Sequence, residues 1–263
     1  MKLMKPRLAT VAAFMLPCVA AAQAGYEGVW SGAMTTPNDE HWKVEDITHC
    51  WAGCPLVPYR QFGALIDDPA NDELSWEELE GRYYGSMAQH LRSISTDAGL
   101  DILNGSTDAN NPSIHCHDYG YMRQSLNPLP MAITRNGDTL TFKYEEWNQE
   151  RTVYMDGRDF PANLAPSQFG YSIGHMDNGD LVIETRGIAA DIYNPFSGGG
   201  GYSDQVVGME RYSLAGNPPV LSVVMTLTDP VTLKEPYLFH KEWIATPDLV
   251  LLEDSCVDVP GEF

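Results

Sequence analysis

What most constrains this chain is a series of short segments after Pro130 in which apolar side chains recur at every second position between turn residues. Asn136-Gly137 is a hairpin signal, and in Thr139–Tyr144 the side chains of Leu140, Phe142 and Tyr144 share one face of an extended strand. Residues 151–155 continue the series, and Asn178-Gly179 marks a second turn before 181–186. Further strands are predicted over 206–212, 221–228, 237–244 and 249–253. Strands this short and this regular imply an antiparallel sheet curled into a barrel or, failing closure, a sandwich. The expected fold class is mainly β.

Before Pro130 the pattern differs. Ser75 is followed three residues later by Glu78, a capping box, and Trp76, Leu79, Tyr83, Met87, Leu91 and Ile94 fall on one helical face. Gly99 is read as the stop. Residues 35–72 are rich in Pro, Asp and Asn and read as irregular surface structure. Residues 35–115 are thus expected as a small irregular and helical insert in one β-barrel domain over 25–263. Tyr26 to Gly32, with Trp30 near its centre, reads as the first strand.

At the N-terminus Lys2, Lys5 and Arg7 precede an apolar run, and Ala22-Gln23-Ala24 has the small-x-small form of a signal-peptidase site. Residues 1–24 therefore read as a signal peptide, and the location is periplasmic or secreted. The apolar run is shorter than the roughly 20 residues a membrane span needs, so no span is expected. The formal net charge of -20 repels phosphate backbones and argues against nucleic acid as a partner. Beyond residue 24 stand Cys50, Cys54, Cys116 and Cys256, which allow three pairings. An oxidising compartment favours disulfides over zinc, with Cys50–Cys54 closing locally and Cys116 reaching Cys256.

Several motifs together resemble a family of uncharacterised exported bacterial proteins. They are Arg151-Thr-Val-Tyr154-Met-Asp156-Gly-Arg158, Gly170-Tyr-Ser172-Ile-Gly174 and Gly179-Asp-Leu-Val182. Glu210-Arg211, Thr226-Leu-Thr-Asp229-Pro230, Trp243 and Cys256 follow. The match runs from about Cys116 to Cys256, with the opening Gly28-Val-Trp30. The family's proline and glycine after the first cysteine are replaced here by His117-Asp-Tyr-Gly120, and its tryptophan before Gly-Asp is missing. The resemblance implies export and a lipocalin-like barrel, and it implies no particular reaction.

Candidate site residues come from charge and alternation. Arg151, Tyr154, Asp156 and Arg158 concentrate guanidinium, phenol and carboxylate in one strand and its turn, a set suited to a ligand carboxylate. Alternation puts Glu184 and Arg186 opposite Leu181 and Ile183, and His240 and Glu242 opposite Phe239 and Trp243. In a closed barrel one of those faces is the interior. Arg151, Arg158, Arg186 and Trp243 are the candidate ligand-binding residues. For acid–base chemistry the candidates are His240, Tyr154, Glu184 and Asp118. His115 and His117 share a face if extended, which suits a metal, with His175 and His240 as further ligands; otherwise no cofactor is expected. Ser172 has the lettering of a nucleophile elbow without the strand-to-helix turn that mechanism needs. The leading expectation is a barrel that binds a small, partly apolar or aromatic molecule. The alternatives are an acid–base enzyme on the same barrel (a lyase, isomerase or hydrolase) and, more weakly, a metal-binding protein.

Overall fold

The computed structural model describes residues 25–32, 53–107, 116–192 and 200–255. The expected signal peptide, His115, Cys50 and Cys256 lie outside the described residues, and so do both expected disulfide pairings, each of which has one partner there.

Period-two alternation becomes strand wherever the far side has something to pack against. The strands begin with β1 (Gly28–Gly32), β2 (Cys54–Pro55), β3 (Met131–Asn136), β4 (Thr139–Tyr144) and β5 (Glu150–Tyr154). Then come β6 (Tyr171–Asp177), β7 (Asp180–Arg186), β8 (Asp191–Ile192) and β9 (Gly201–Tyr202). The last three are long: β10 (Val207–Ala215), β11 (Val220–Thr228) and β12 (Tyr237–Ala245). Nine of them close a barrel in the order β1, β3, β4, β5, β6, β7, β10, β11, β12, with β1 pairing β12 to complete the ring. Asn178 at φ 53° and Gly179 at φ 96° make the tight turn between β6 and β7 that the Asn-Gly signal predicts.

The barrel is mixed rather than purely antiparallel. β5 and β6 run parallel, with Val153 opposite Ser172, because residues 155–170 cross over instead of turning back as a hairpin. The segment 249–253 is also not a strand. Closure explains this: β12 is already paired with β11, β1 and β2, so no edge is free to receive another strand. Residues 252–254 instead lie along the turn after β4, where Leu252 N donates to Glu145 Oε2 at 2.9 Å and Trp147 N to Asp254 Oδ2 at 3.0 Å.

The helical part is larger than the sequence suggests. Leu56–Ile66 forms α1 where irregular structure is expected. Its proline, Pro58, falls in the first turn, where a missing N–H costs no hydrogen bond. Trp76–Ile94 is α2, and its capping box is formed as predicted: Glu78 N donates to Ser75 Oγ and Ser75 N to Glu78 Oε2. Gly99 is no stop. The helix ends at Ile94 and a new one, α3 (Asp97–Gly105), contains Gly99. The break comes from tertiary structure, because Thr96 N donates to Thr232 O and Lys234 N to Ile94 O, docking the helix junction on the 229–234 turn. A Cβ at residue 99 would collide with the Thr232 carbonyl, so glycine is needed there for close approach.

Asp229 holds that turn. Its carboxylate, 1% exposed, accepts from Ser203 N and Oγ, Val231 N and Thr232 Oγ1. Burial alone would raise its pKa, but these hydrogen bonds prevail and hold it below the usual carboxylate value. Replacing Asp229 with Ala is expected to cost about 1–3 kcal/mol in urea unfolding at pH 7, through donors left buried without an acceptor. In the native chain this stabilisation is present at neutral pH and lost as the pH falls through the depressed folded value. An unchanged urea midpoint in the variant would contradict it.

Among the described residues no helix is long and apolar enough to cross a membrane.

Candidate polar belt inside the barrel

Inward-facing side chains fall into two apolar clusters. One fills the end toward α2 and α3 and includes Leu91, Leu103, Ile188, Met225, Leu227, Tyr237 and Phe239. The other, with Trp30, Ile133, Phe142, Val153, Ile183, Tyr212, Val223 and Trp243, fills the opposite end. Tyr26 seals that second end: its hydroxyl donates to the Gly179 carbonyl at 2.8 Å and accepts from Leu181 N. Between the clusters runs a polar belt. Thr185 stands between Ile183 and Ile188, and Lys241 between Phe239 and Trp243, on inward faces. Glu210 lies inward on β10 just before Tyr212.

Arg151 and Glu210 form the centre of the belt. Arg151 Nε donates to Ser172 Oγ at 3.0 Å, Nη2 to Thr185 Oγ1 at 3.0 Å, and Nη1 to Glu210 Oε1 at 3.1 Å. Nη2 also donates to Glu210 Oε2, so the pair is bidentate, and Tyr212 Oη adds a hydrogen bond to the same carboxylate. Burial is the largest single influence on Arg151 and would lower its pKa, but the Glu210 charge and hydrogen bonds, with Tyr121 and Tyr144, together outweigh it and drive the value well up. Burial, then the Glu210 charge, pushes Tyr212 and Tyr121 well above the ordinary phenol value. Tyr121 begins α4 (Tyr121–Ser125), a five-residue helix buried on all sides, and its ring lies 5.0 Å from the Arg151 guanidinium. Gly208 gives that ring its room, since a Cβ there would meet the Tyr121 hydroxyl and ring carbons. Gly208→Ala is therefore expected to lower the unfolding free energy by about 1–3 kcal/mol. A thermal midpoint equal to the parent's would show that the ring does not sit there.

Lys241 is the second centre. It is 1% exposed, donates to the Asn127 carbonyl just beyond α4, and sits 4.1 Å from the centroid of the Trp243 ring. Burial alone lowers its pKa well below the ordinary lysine value, and no acid acts against it. Tyr144 of β4 lies against Ser125 of α4 and the Arg151 guanidinium. Other buried polar atoms lack a hydrogen bond: Gln124 Oε1 on α4, Gln149 Oε1 and Trp243 Nε1. Each is buried, a condition that ordinarily costs about 1–3 kcal/mol per group.

The structure turns two of the sequence candidates inward, Arg151 and Trp243. Arg158, Arg186, Tyr154, Glu184, His240, His117 and Asp118 are not turned into the barrel. Arg158 pairs with Asp156, whose carboxyl it holds down to about 2, and lies 4.0 Å over the Tyr154 ring, which stacks on Tyr171. Arg186 pairs with Glu184 and covers Phe160 at 4.7 Å. His240 lies on the outer face of β12, with Nε2 3.3 Å from Glu242 Oε1 and its ring stacked on Tyr59 of α1. His117 and Asp118 are exposed. Tyr154 thus meets Arg158, and Glu184 meets Arg186, but three strand steps separate β7 from His240, and the four acid–base candidates do not converge. Ser172 lies within strand β6, hydrogen-bonded to Arg151 and Thr185. Among the described residues no group of three His, Cys, Asp or Glu side chains is gathered to hold a metal.

Sequence reasoning missed Glu210, Lys241, Tyr121 and Thr185 as interior groups. Alternation carried the signal: Lys241 shares its parity with Tyr237, Phe239 and Trp243, a cation on an aromatic face.

No family model matches the chain, and neither a curated protein nor a solved structure matches it.

Proposed function

We propose that this barrel binds a small, partly apolar or aromatic molecule in its interior, at the polar belt beneath α4. The observation that carries this reading is the set of buried polar atoms without partners at the belt, Trp243 Nε1 beside Lys241 together with Gln124 Oε1 and Gln149 Oε1. Buried polar groups are almost always satisfied in a folded chain, so a cluster of unsatisfied ones points to a missing partner. Interior side chains close on one another in this form, so a guest must displace something. The candidate is α4. It is too short to be stable without its surroundings, its N-terminus has no side-chain cap, and Gln124 contributes one of the unpartnered atoms.

Protein purified without denaturation and examined by native mass spectrometry tests the reading. A bound small molecule, released on unfolding, is expected. An unadorned chain mass, together with no thermal shift across a panel of aromatic and aliphatic acids, amides and alcohols, would count against it.

Export and the Cys50–Cys54 and Cys116–Cys256 bridges belong to the same proposal. Protein recovered from the periplasm should begin at Gly25 and show no free thiol. A retained leader or titratable thiols would contradict that. The acid–base alternative is not adopted, because His240 finds Glu242 and Tyr59 while Tyr154, Glu184 and Asp118 lie elsewhere.

A further inference from the structure

Resting on the reading of the barrel as a binding protein, we infer that the guest is a carboxylic acid held as its carboxylate by two donors, Lys241 Nζ and Trp243 Nε1. The inventory of unused hydrogen-bonding capacity carries this. Trp243 Nε1 can only donate, is buried, and has no acceptor. Lys241 Nζ has capacity for three donors and meets one acceptor, the Asn127 carbonyl. The two residues project from the same face of β12, and Nζ lies over the indole ring itself. What they lack in common is an acceptor. An oxygen-rich anionic head fits such a set, whereas an amine or another donor would leave it as unsatisfied as before.

Charge then limits the head to one negative charge. Arg151 is already neutralised by Glu210 in a bidentate pair, so among the described belt residues Lys241 is the one cationic side chain without an acid. A carboxylate balances one cation; a phosphate dianion would carry an uncompensated charge into a low-dielectric interior, which is costly. Burial also favours the neutral amine when the site holds no guest. The acid can then enter uncharged and give up its proton inside: its O–H bond breaks, an N–H bond forms on Lys241, and the ammonium–carboxylate pair results with no net charge carried in. The rest of the guest meets the aromatic and aliphatic walls formed by Trp30, Phe142, Tyr212, Ile183 and Val223. Its body is therefore apolar.

Titration calorimetry on the full chain tests this with matched pairs, 3-phenylpropionate against 3-phenylpropanamide and octanoate against octanamide. The acids should bind at least about tenfold more tightly than their amides, as charge-assisted hydrogen bonds exceed neutral ones. Lys241→Met should erase that preference, bringing the acids down to the level of their amides. Trp243→Phe, which keeps the ring and removes the donor, should weaken the acids more than the amides. Near-UV circular dichroism checks that both variants keep the parent's packing. Equal binding of acid and amide to the parent, or an acid preference that survives Lys241→Met, overturns the carboxylate inference and leaves guest binding standing. Binding of none of the four compounds to the parent overturns the inference, and the absence of any co-purifying molecule then removes the binding proposal as well.

Discussion

Replacing Arg151 with Met lowers the unfolding free energy by about 3–5 kcal/mol, because the change leaves the Glu210 carboxylate buried without its cation. Both side chains are inaccessible, 1% and 0% exposed, and water cannot replace the lost partner. The same substitution also removes the donors that Ser172 Oγ and Thr185 Oγ1 accept from, and leaves the Tyr212 hydroxyl as the remaining donor to Glu210 among the described residues. Glu210→Leu should cost a similar amount by leaving the guanidinium unpaired. The double replacement Arg151→Met with Glu210→Leu should be far less damaging than the two single effects combined, since it removes both charges from the interior. Urea unfolding of the four proteins reads the coupling directly. Single effects that add within about 0.5 kcal/mol would mean the two residues do not act as a pair.

Lys241→Met moves stability the other way. A buried amine with one hydrogen bond and no acid is replaced by an unbranched thioether of similar length, so a gain of about 1–4 kcal/mol is expected near pH 7, reduced by the donor that Asn127 O loses. The pH dependence separates this from ordinary repacking. The folded pKa of Lys241 is depressed, so between that value and the unfolded value near 10.4 the unfolded chain binds more protons than the folded one. Stability attributable to this residue is therefore present above the unfolded value and is lost as the pH falls toward the folded one. Unfolding free energies across that interval should rise with pH in the parent, and that contribution to the slope should vanish in Lys241→Met. A variant that is less stable, with an unchanged pH slope, would mean that Lys241 is satisfied in a way the structure does not reveal. The expected gain also says something about function, since a stabilising replacement at a buried site points to a residue kept for a reason other than stability.

Much of the scaffold was legible because it depends on local pattern. Leu140, Phe142 and Tyr144 alternate toward the core, Asn178-Gly179 turns where such a pair should, and Ser75 with Glu78 starts a helix. The misreadings share a cause, which is contact from distant parts of the chain. The break at Ser95 is imposed by Thr232, the missing last strand by closure of β1 on β12, and the parallel pair by the crossover from Tyr154 to Tyr171. At the site the limiting ambiguity was the choice of face. Alternation grouped His240 with Glu242 and, on the other side, Phe239 with Trp243, but only closure decided that the aromatic side faces inward. Lys241 went with it. Charged residues are ordinarily expected in solvent, and nothing local marks one that is not.

The central claim is that α4 is a plug over an interior able to hold a guest, and backbone hydrogen exchange tests it most directly. The amides of residues 121–125 should open at a free energy well below that of Phe142 and Val223 in the barrel wall, and should slow when 3-phenylpropionate is added. Exchange of 121–125 in step with those strands, with or without the acid, would contradict the account and make the belt a fixed part of the core.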